Sequence, residues 1–424
     1  MEFWYKFLTY LFYPISPIYL YWRRLKKKEH PVRYREKLSK ISEPRGDGFL
    51  IWYHVASVGE AMSILPLIEN FEKNEKVKKI LITTITLSSG EILKKRYSKN
   101  SKVIHQYLPL DICSLVKKFI DHWKPNLAIF IDSEIWPNLI LETKKKNIPL
   151  LLINARITKK TFSRWMFSKK FAKKIFEKFD LCIASNSQTE NFLEALGSKN
   201  IKNYGNLKYS NVKDEINKEL DQNLLSRIKN RKIWCAASTH PLEEIFCAQV
   251  HLQLKKTYQN ILTIIIPRHI NRTESIYHEL SKLKLNVAFY TKPEQITNDT
   301  DILIVNTYGE ALKFYNIARS VFVGKSLISS LKKVGGQNPI EPARLGCKIY
   351  HGPFVSNFED VYRLLRTLNV AEEIKETSEL TKCLVDEFEK NKLKDAEIIE
   401  TIEKYGQNTL NNVIKEINIY INSK

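Results

Sequence analysis

The chain has 424 residues, which suits two domains of ordinary size better than one. Its 43% hydrophobic and 27% charged residues are a globular balance, and 13 Gly with 15 Pro exclude collagen-like and low-complexity classes. The formal charge of +22 suits an anionic partner, whether nucleic acid, membrane surface or phosphorylated substrate, although a Lys-, Ile- and Asn-rich bias produces such a charge without any binding role.

Residues 3–22 are apolar and aromatic, with Lys6 as the one charge, and Arg23, Arg24, Lys26, Lys27 and Lys28 follow at once. About 20 apolar residues suffice to cross a bilayer, and a following basic cluster keeps the rest of the chain cytoplasmic. Residues 1–40 are therefore expected to be an inner-membrane anchor with its basic flank, either spanning or lying in the interface; Pro14 and Pro17 weaken a straight span.

From residue 48 short apolar runs alternate with helical patterns: 49–55, 80–85, 127–131, 150–154 and 181–185. A polar stretch at 211–232 follows, and the alternation restarts at 233–238, 262–267, 287–290, 301–306, 320–324 and 348–352. Near-continuous apolar strands between helices imply parallel sheets covered on both faces. The reading is α/β with two Rossmann-like doubly wound domains, 41–210 and 233–424, joined by a linker at 211–232. Such sheets bind ligands beyond the carboxyl ends of their strands.

Polar residues just after strands are therefore the candidates. HVASVGE (54–60) puts Ser57 and Gly59 in a turn and Glu60 in a helix first turn, where it serves as a general base or only as a dipole partner. DSEIWPN (132–138) brings Glu134 to another strand end. PRH (267–269) offers Arg268, whose planar fork suits phosphate, and His269. Gly309 precedes a helix whose amides suit an anion, with Glu310 and Ala311 beside it. GGQNPIEPA (335–343) presents Gly335 and Gly336, which let the backbone approach a ligand, then Gln337, Asn338 and Glu341; the last two also have capping-box spacing. GNLK (205–208) supplies Lys208. Asp299 and Asp301 form a D-x-D that precedes its strand and reads as solvated loop charge. A basic, aromatic segment at 159–179, with Lys169, Lys170, Lys173 and Lys174, suits an anionic membrane face if helical. The six cysteines are scattered with no C-x-x-C, so neither a disulfide framework nor a zinc ribbon is expected. No nucleic-acid module accompanies the charge, and nucleic acid is not expected as a partner.

These segments, with NAR (154–156), STHPLEE (238–244), PRHINR (267–272) and FVGKSL (322–327), together resemble the 3-deoxy-D-manno-octulosonic acid (Kdo) transferase family over nearly the whole chain. The resemblance implies a GT-B fold of two facing domains, the C-terminal helix returning to the first. It implies an inverting glycosyltransferase that uses CMP-Kdo and a lipid A precursor, with no bound metal and no cofactor. It implies Glu60 as base, with Glu134 and Lys208 stabilising the transition state. Ser57, Gly59, Asn154 and Arg156 would take the acceptor or sugar. Arg268, His269, Gly309, Glu310, Ala311, Gly335, Gly336, Gln337, Asn338 and Glu341 would hold CMP. Two departures stand out: the family usually has His where this chain has Gln337, and often Gly where it has Leu242. The alternative is a membrane-associated GT-B enzyme with another nucleotide-sugar donor.

Overall fold

The computed structural model describes residues 1–40, 43–97, 102–210, 220–228, 230–332, 335–390 and 395–423. The chain divides into two compact units, Met1–Asn211 with Gly406–Lys424, and Val212–Tyr405.

In the first unit the strands are β1 (Phe49–His54), β2 (Val77–Thr84), β3 (Val103–Tyr107), β4 (Leu127–Ile131), β5 (Leu150–Ala155), β6 (Leu181–Ala184) and β7 (Ile201–Asn203). They form one sheet in the order β3-β2-β1-β4-β5-β6-β7. All pairings are parallel. Helices cover both faces, so both sides of each inner strand must be apolar. Along β1, Leu50 and Trp52 enter one core cluster while Ile51 and Tyr53 enter the other. Ala61, Ile64, Leu65 and Ile68 are all buried as their spacing predicts, but on two helices, Val58–Ser63 and Leu65–Glu72, broken at Ile64 before Pro66.

The second unit repeats the plan with β8 (Lys232–Thr239), β9 (Ile261–Pro267), β10 (Val287–Phe289), β11 (Ile302–Ile304), β12 (Ser320–Val323), β13 (Lys348–His351) and β14 (Ala371–Glu373). Their order is β10-β11-β9-β8-β12-β13-β14, again parallel. Three strands had no apolar run to announce them: β3 with His105 and Gln106, β7 (IKN) and β14 (AEE). All three lie at sheet edges, where two-sided burial is not required.

The closing helix Ala396–Asn422 begins in the second unit and ends in the first, where Leu410, Val413, Ile417 and Ile421 join the core beneath β1. A Cβ on its Gly406 would collide with the backbone of Tyr209. Of the expected linker, 211–219 and 229 lie outside the described residues; Gln222–Ile228 is helical and Lys232 already opens β8.

The N-terminal stretch is two helices, Glu2–Phe12 and Ser16–Leu25, interrupted around Pro14. Among the described residues no helix is long and apolar enough to cross a membrane. The Tyr5 hydroxyl donates to Asp111 at 2.6 Å and Asn138 donates to Thr9 at 3.2 Å, which ties the first helix to the body. Its other side leaves Phe3, Trp4, Leu8 and Tyr10 more than half exposed.

Two further expectations need correction. Residues 159–179 form two helices, Lys159–Met166 and Lys169–Phe176, and Phe162, Trp165, Met166, Phe171 and Phe176 pack into the body, not outward. Only Phe167 stands out, at 89% exposure, beside exposed lysines. Asp301 is no solvated charge: it is buried, accepts from Asn286 N–H at 2.9 Å, contacts His251 at 3.3 Å and pairs with Lys255. Burial opposes its ionisation, but these partners outweigh it and hold the carboxyl far below its ordinary range.

Candidate active site

In the first sheet the chain winds one way from β1 to β2 and β3, then returns to build β4 on the other side of β1. The crevice at a doubly wound sheet's switch point lies between those two strands, at their carboxyl ends. HVASVGE follows β1 and DSEIWPN follows β4, so one crevice receives both motifs.

Ser57 is the N-cap of helix Val58–Ser63. Its hydroxyl donates to Glu60 Oε1 at 2.9 Å and accepts the Glu60 amide at 3.3 Å, while Ala56 N–H donates to Glu60 Oε2 at 2.7 Å. The Ser57 hydroxyl thus caps the helix, while the carboxylate returns to the amide of Ala56, one residue before the N-cap, and these bonds fix where it points. A Cβ at Gly59 would meet nothing within 4 Å, so the gap this glycine leaves opens outward.

Glu134 is buried, and its Oε2 accepts from Trp136 Nε1 at 2.7 Å and faces His54 Nε2 at 3.2 Å. Burial works against its ionisation, but His54 and then Trp136 more than compensate and leave the carboxyl below its ordinary value. Asp132, two residues earlier, is buried and sits in the left-handed region at φ +60°. Burial pushes its carboxyl up to about 6; Lys208 and Arg156 oppose that rise, and Glu60 and Glu134 add to it. Three carboxylates and two cations from β1, β4, β5 and the end of β7 thus share one electrostatic neighbourhood. Asn154 is a support: at φ +54°, its Oδ1 accepts from Leu207 N–H at 2.9 Å and anchors the turn that carries Lys208.

The second sheet has the same logic, with its switch point between β8 and β12. Arg268 and His269 are exposed after β9, and the Arg268 amide donates to Thr239 O at 3.1 Å. The His269 ring lies 5.8 Å from that of His240, whose imidazole is held below its ordinary pKa by burial, with Lys325 and His269 adding to the effect. The Glu243 carboxylate is buried and accepts from the amides of His240, Lys325, Ser326 and Leu327 at 2.7–3.1 Å. It shapes the loop after β12. Glu244 holds Arg272 through two bonds of 2.9 and 3.3 Å, which joins the STHPLEE and PRHINR motifs.

Gly309 has φ +81° and open space where a Cβ would sit, before helix Ala311–Ile317. Glu310 stands at the N-cap position of that helix without a side-chain capping bond; its carboxylate pairs with Lys313 at 2.6 Å and accepts from the Tyr290 hydroxyl at 3.2 Å. The reason for Gly335 and Gly336 differs from expectation. A Cβ on Gly335 would strike the backbone of Phe354, and one on Gly336 would crowd Val355, so the chain's own backbone occupies the space. Nor do Asn338 and Glu341 form a capping box: Asn338 Oδ1 accepts from Ile340 N–H at 3.2 Å, and helix Ile340–Arg344 starts at Pro339 without a side-chain cap. The Gln337 carbonyl accepts from the Tyr362 hydroxyl at 2.9 Å. Leu242 has φ +80°, a conformation that favours glycine.

Two residues of the first crevice, His54 and Asp132, were not singled out from the sequence, although both lie inside the quoted motifs. Their signal was adjacency to a strand end, but only burial and proximity distinguish them from ordinary loop polars. Among the described residues no group of three or more His, Cys, Asp or Glu side chains is placed to hold a metal ion.

Comparison with known proteins adds an independent line. A family profile described as 3-Deoxy-D-manno-octulosonic-acid transferase (kdotransferase) matches residues 24–211. The chain is 32% identical over 433 aligned positions to a protein of Arabidopsis thaliana named "Probable 3-deoxy-D-manno-octulosonic acid transferase, mitochondrial", covering 98% of this chain and 95% of that one. It is 33% identical to the 3-deoxy-D-manno-octulosonic acid transferase of Rickettsia bellii (strain RML369-C), covering 96% and 94%. Among solved structures, a UDP-N-acetylglucosamine 2-epimerase aligns with a TM-score of 0.60 at 11% identity, over 89% of this chain and 98% of that one. That likeness concerns the GT-B-like fold alone.

Proposed function

Since the chain belongs to the Kdo transferase family of glycosyltransferases, we propose that it transfers Kdo from CMP-Kdo to a lipid A precursor, with inversion and without a bound metal. Glu60 takes the proton of the acceptor hydroxyl, whose oxygen attacks the anomeric carbon as CMP leaves from the opposite face. The bonds from Ala56 and Ser57 orient the carboxylate, and each oxygen keeps a lone pair for the acceptor. Lys208 offsets the sugar carboxylate or the leaving phosphate, and Glu134 lines the same crevice and stabilises the transition state. Ser57, Gly59 and Arg156 contact acceptor or sugar. In the second unit Arg268, His269, the turn Gly309–Ala311 and the segment Gly335–Asn338 with Glu341 hold CMP; Gln337 carries no charge and takes no part in proton transfer.

The observation that supports this most is the meeting of Glu60, Asp132, Glu134, Arg156 and Lys208 in a chain about a third identical to named Kdo transferases. A sugar-nucleotide epimerase shares the fold at 11% identity, so fold alone does not choose between the two chemistries. The same reading lays the two N-terminal helices in the interface of the inner membrane, aromatic side outward, with both units cytoplasmic. Lys169, Lys170, Lys173 and Lys174 then face anionic headgroups.

The test incubates detergent-solubilised protein with CMP-Kdo, generated in place, and a bisphosphorylated tetraacyl lipid A precursor, and reads the lipid by mass spectrometry. The wild type should add at least one Kdo, and Glu60→Gln should be slower by roughly two to four orders of magnitude. A folded wild type that is stabilised by CMP but adds no Kdo would overturn the acceptor assignment; retained activity in Glu60→Gln would overturn the base.

A further inference from the structure

His54 is fully buried at the end of β1 and touches no solvent. It is paired in register with Thr83 on β2 and Phe130 on β4. Its two nitrogens are both engaged. Nε2 lies 3.2 Å from Glu134 Oε2, and Nδ1 lies 3.0 Å from Thr83 Oγ1. Thr83 Oγ1 also accepts from Trp52 Nε1 at 2.8 Å. The Phe130 ring stands edge-on to the imidazole at 5.5 Å and limits its rotation. A continuous buried chain therefore runs Trp52, Thr83, His54, Glu134, and ends in the crevice that holds Glu60.

We propose that His54 is a positioning residue for Glu134: it donates Nε2–H to the carboxylate and so fixes one orientation and one charge state for it.

The direction of the chain follows from donor and acceptor chemistry. An indole N–H only donates, so Trp52 makes Thr83 Oγ1 an acceptor on that side. The Thr83 hydroxyl hydrogen then has two nearby acceptors, His54 Nδ1 at 3.0 Å and Tyr53 O at 3.3 Å. Nδ1 also lies 3.3 Å from the Thr83 carbonyl, which can only accept, so the Thr83 side fits either tautomer; the carboxylate at 3.2 Å decides, because it requires the donor on Nε2. The opposite tautomer would aim a lone pair at Glu134 Oε2. A buried carboxylate needs such a partner, because burial alone raises its pKa, and the net shift of Glu134 is downward with His54 as the foremost stabiliser. The charged and titratable groups around the pair are Asp132 on the Glu134 loop and Asp111, whose carboxyl pKa is raised by burial against the hydrogen bonds from Tyr5, Asn138 and Leu139 and a smaller effect of His54. Glu60, Lys208 and Arg156 act on Asp132 in turn.

The inference rests on Glu134 belonging to the Kdo-transfer crevice, so the test has an arm that needs no turnover. In ¹⁵N NMR of the full-length protein with labelled imidazoles, His54 should carry its proton on Nε2, and Glu134→Gln should shift that resonance. A proton on Nδ1 alone, or no response to Glu134→Gln, overturns the proposal even if the protein proves inactive on lipid A precursors. In the activity arm, His54→Phe should lower kcat at least tenfold and move the acid limb of its pH profile upward by about one pH unit, while KM for CMP-Kdo changes less than threefold. His54→Gln, whose amide can reach the same oxygen, should recover part of both. An unaltered pH profile in folded His54→Phe, or a His54→Gln no better than His54→Phe, overturns it. If His54→Phe does not fold, His54→Gln and Thr83→Val carry the comparison: Thr83→Val should lower kcat with the same upward shift of the acid limb, and a wild-type profile in both variants overturns the proposal.

Discussion

Asp132→Asn isolates the electrostatics of the crevice from its packing. Asparagine matches the shape of aspartate and is among the side chains most tolerant of the left-handed backbone that position 132 adopts at φ +60°. The native carboxyl titrates at about 6, against an ordinary 3.8. A pKa raised in the folded state means that the native protein binds the proton more tightly than the unfolded chain. The protonated group's contribution is fully present below the ordinary value and is lost as pH rises through about 6. The gap between 3.8 and about 6, at about 1.4 kcal/mol per pH unit, comes to about 3 kcal/mol. Integrated between about pH 5 and about pH 8, about 1.4 kcal/mol of that falls inside the accessible range. Asp132→Asn removes this titration, so its stability relative to wild type should improve by that amount between the two pH values. In a unit of this size that is about 3–5 °C in Tm. Paired thermal scans of both proteins across the range measure it. A stability difference that stays constant with pH would show that Asp132 is not the buried, crowded acid described above. The pH at which turnover responds to the variant should track the same titration.

Leu242→Gly should stabilise the second unit by about 1 kcal/mol, because Leu242 sits exposed at φ +80°, where only glycine escapes the steric cost; an unchanged or lower Tm would refute the strain. Gly406→Ala should do the reverse, costing about 1–3 kcal/mol in spite of the gain in helix propensity, because the new methyl group meets the backbone of Tyr209. Its effect should appear in denaturant melts of the first unit. Vesicle flotation should show binding that depends on anionic lipid. It should weaken when Lys169, Lys170, Lys173 and Lys174 are reversed to Glu, and weaken further when Phe3, Trp4 and Leu8 become Ser. Equal flotation with neutral vesicles would exclude the electrostatic part.

How far the site was legible depends on the residue. Glu60 and Glu134 could be found because each follows an apolar run, and a strand end is a local property. His54 and Asp132 could not be ranked, since nothing in HVASVGE or DSEIWPN says that one imidazole is fully buried or that one carboxyl has two anionic neighbours. The glycines show the same limit. Gly59 and Gly335 look alike as letters, yet one leaves open space and the other accommodates the backbone of Phe354.

The sequence by itself determined the parallel α/β class, the break into two sheets and most of the inner strands, because these follow from apolar runs and their spacing, which each segment carries alone. It also determined the family, through motifs spread along nearly the whole chain. Tertiary structure decided that β1 and β4 lie side by side, which no periodicity encodes, since the same runs would suit any strand order. It decided that the aromatic N-terminus forms two short helices, the first of them tied down through Asp111 and Asn138. And it decided which polar groups lose water: Asp301, read as loop charge, is buried among its partners, and Asp132 is lifted toward neutrality. Burial and the partners it brings together are properties of the whole packed unit: burial dominates at Asp132, the partners at Asp301, and the balance sets the charge that each residue carries.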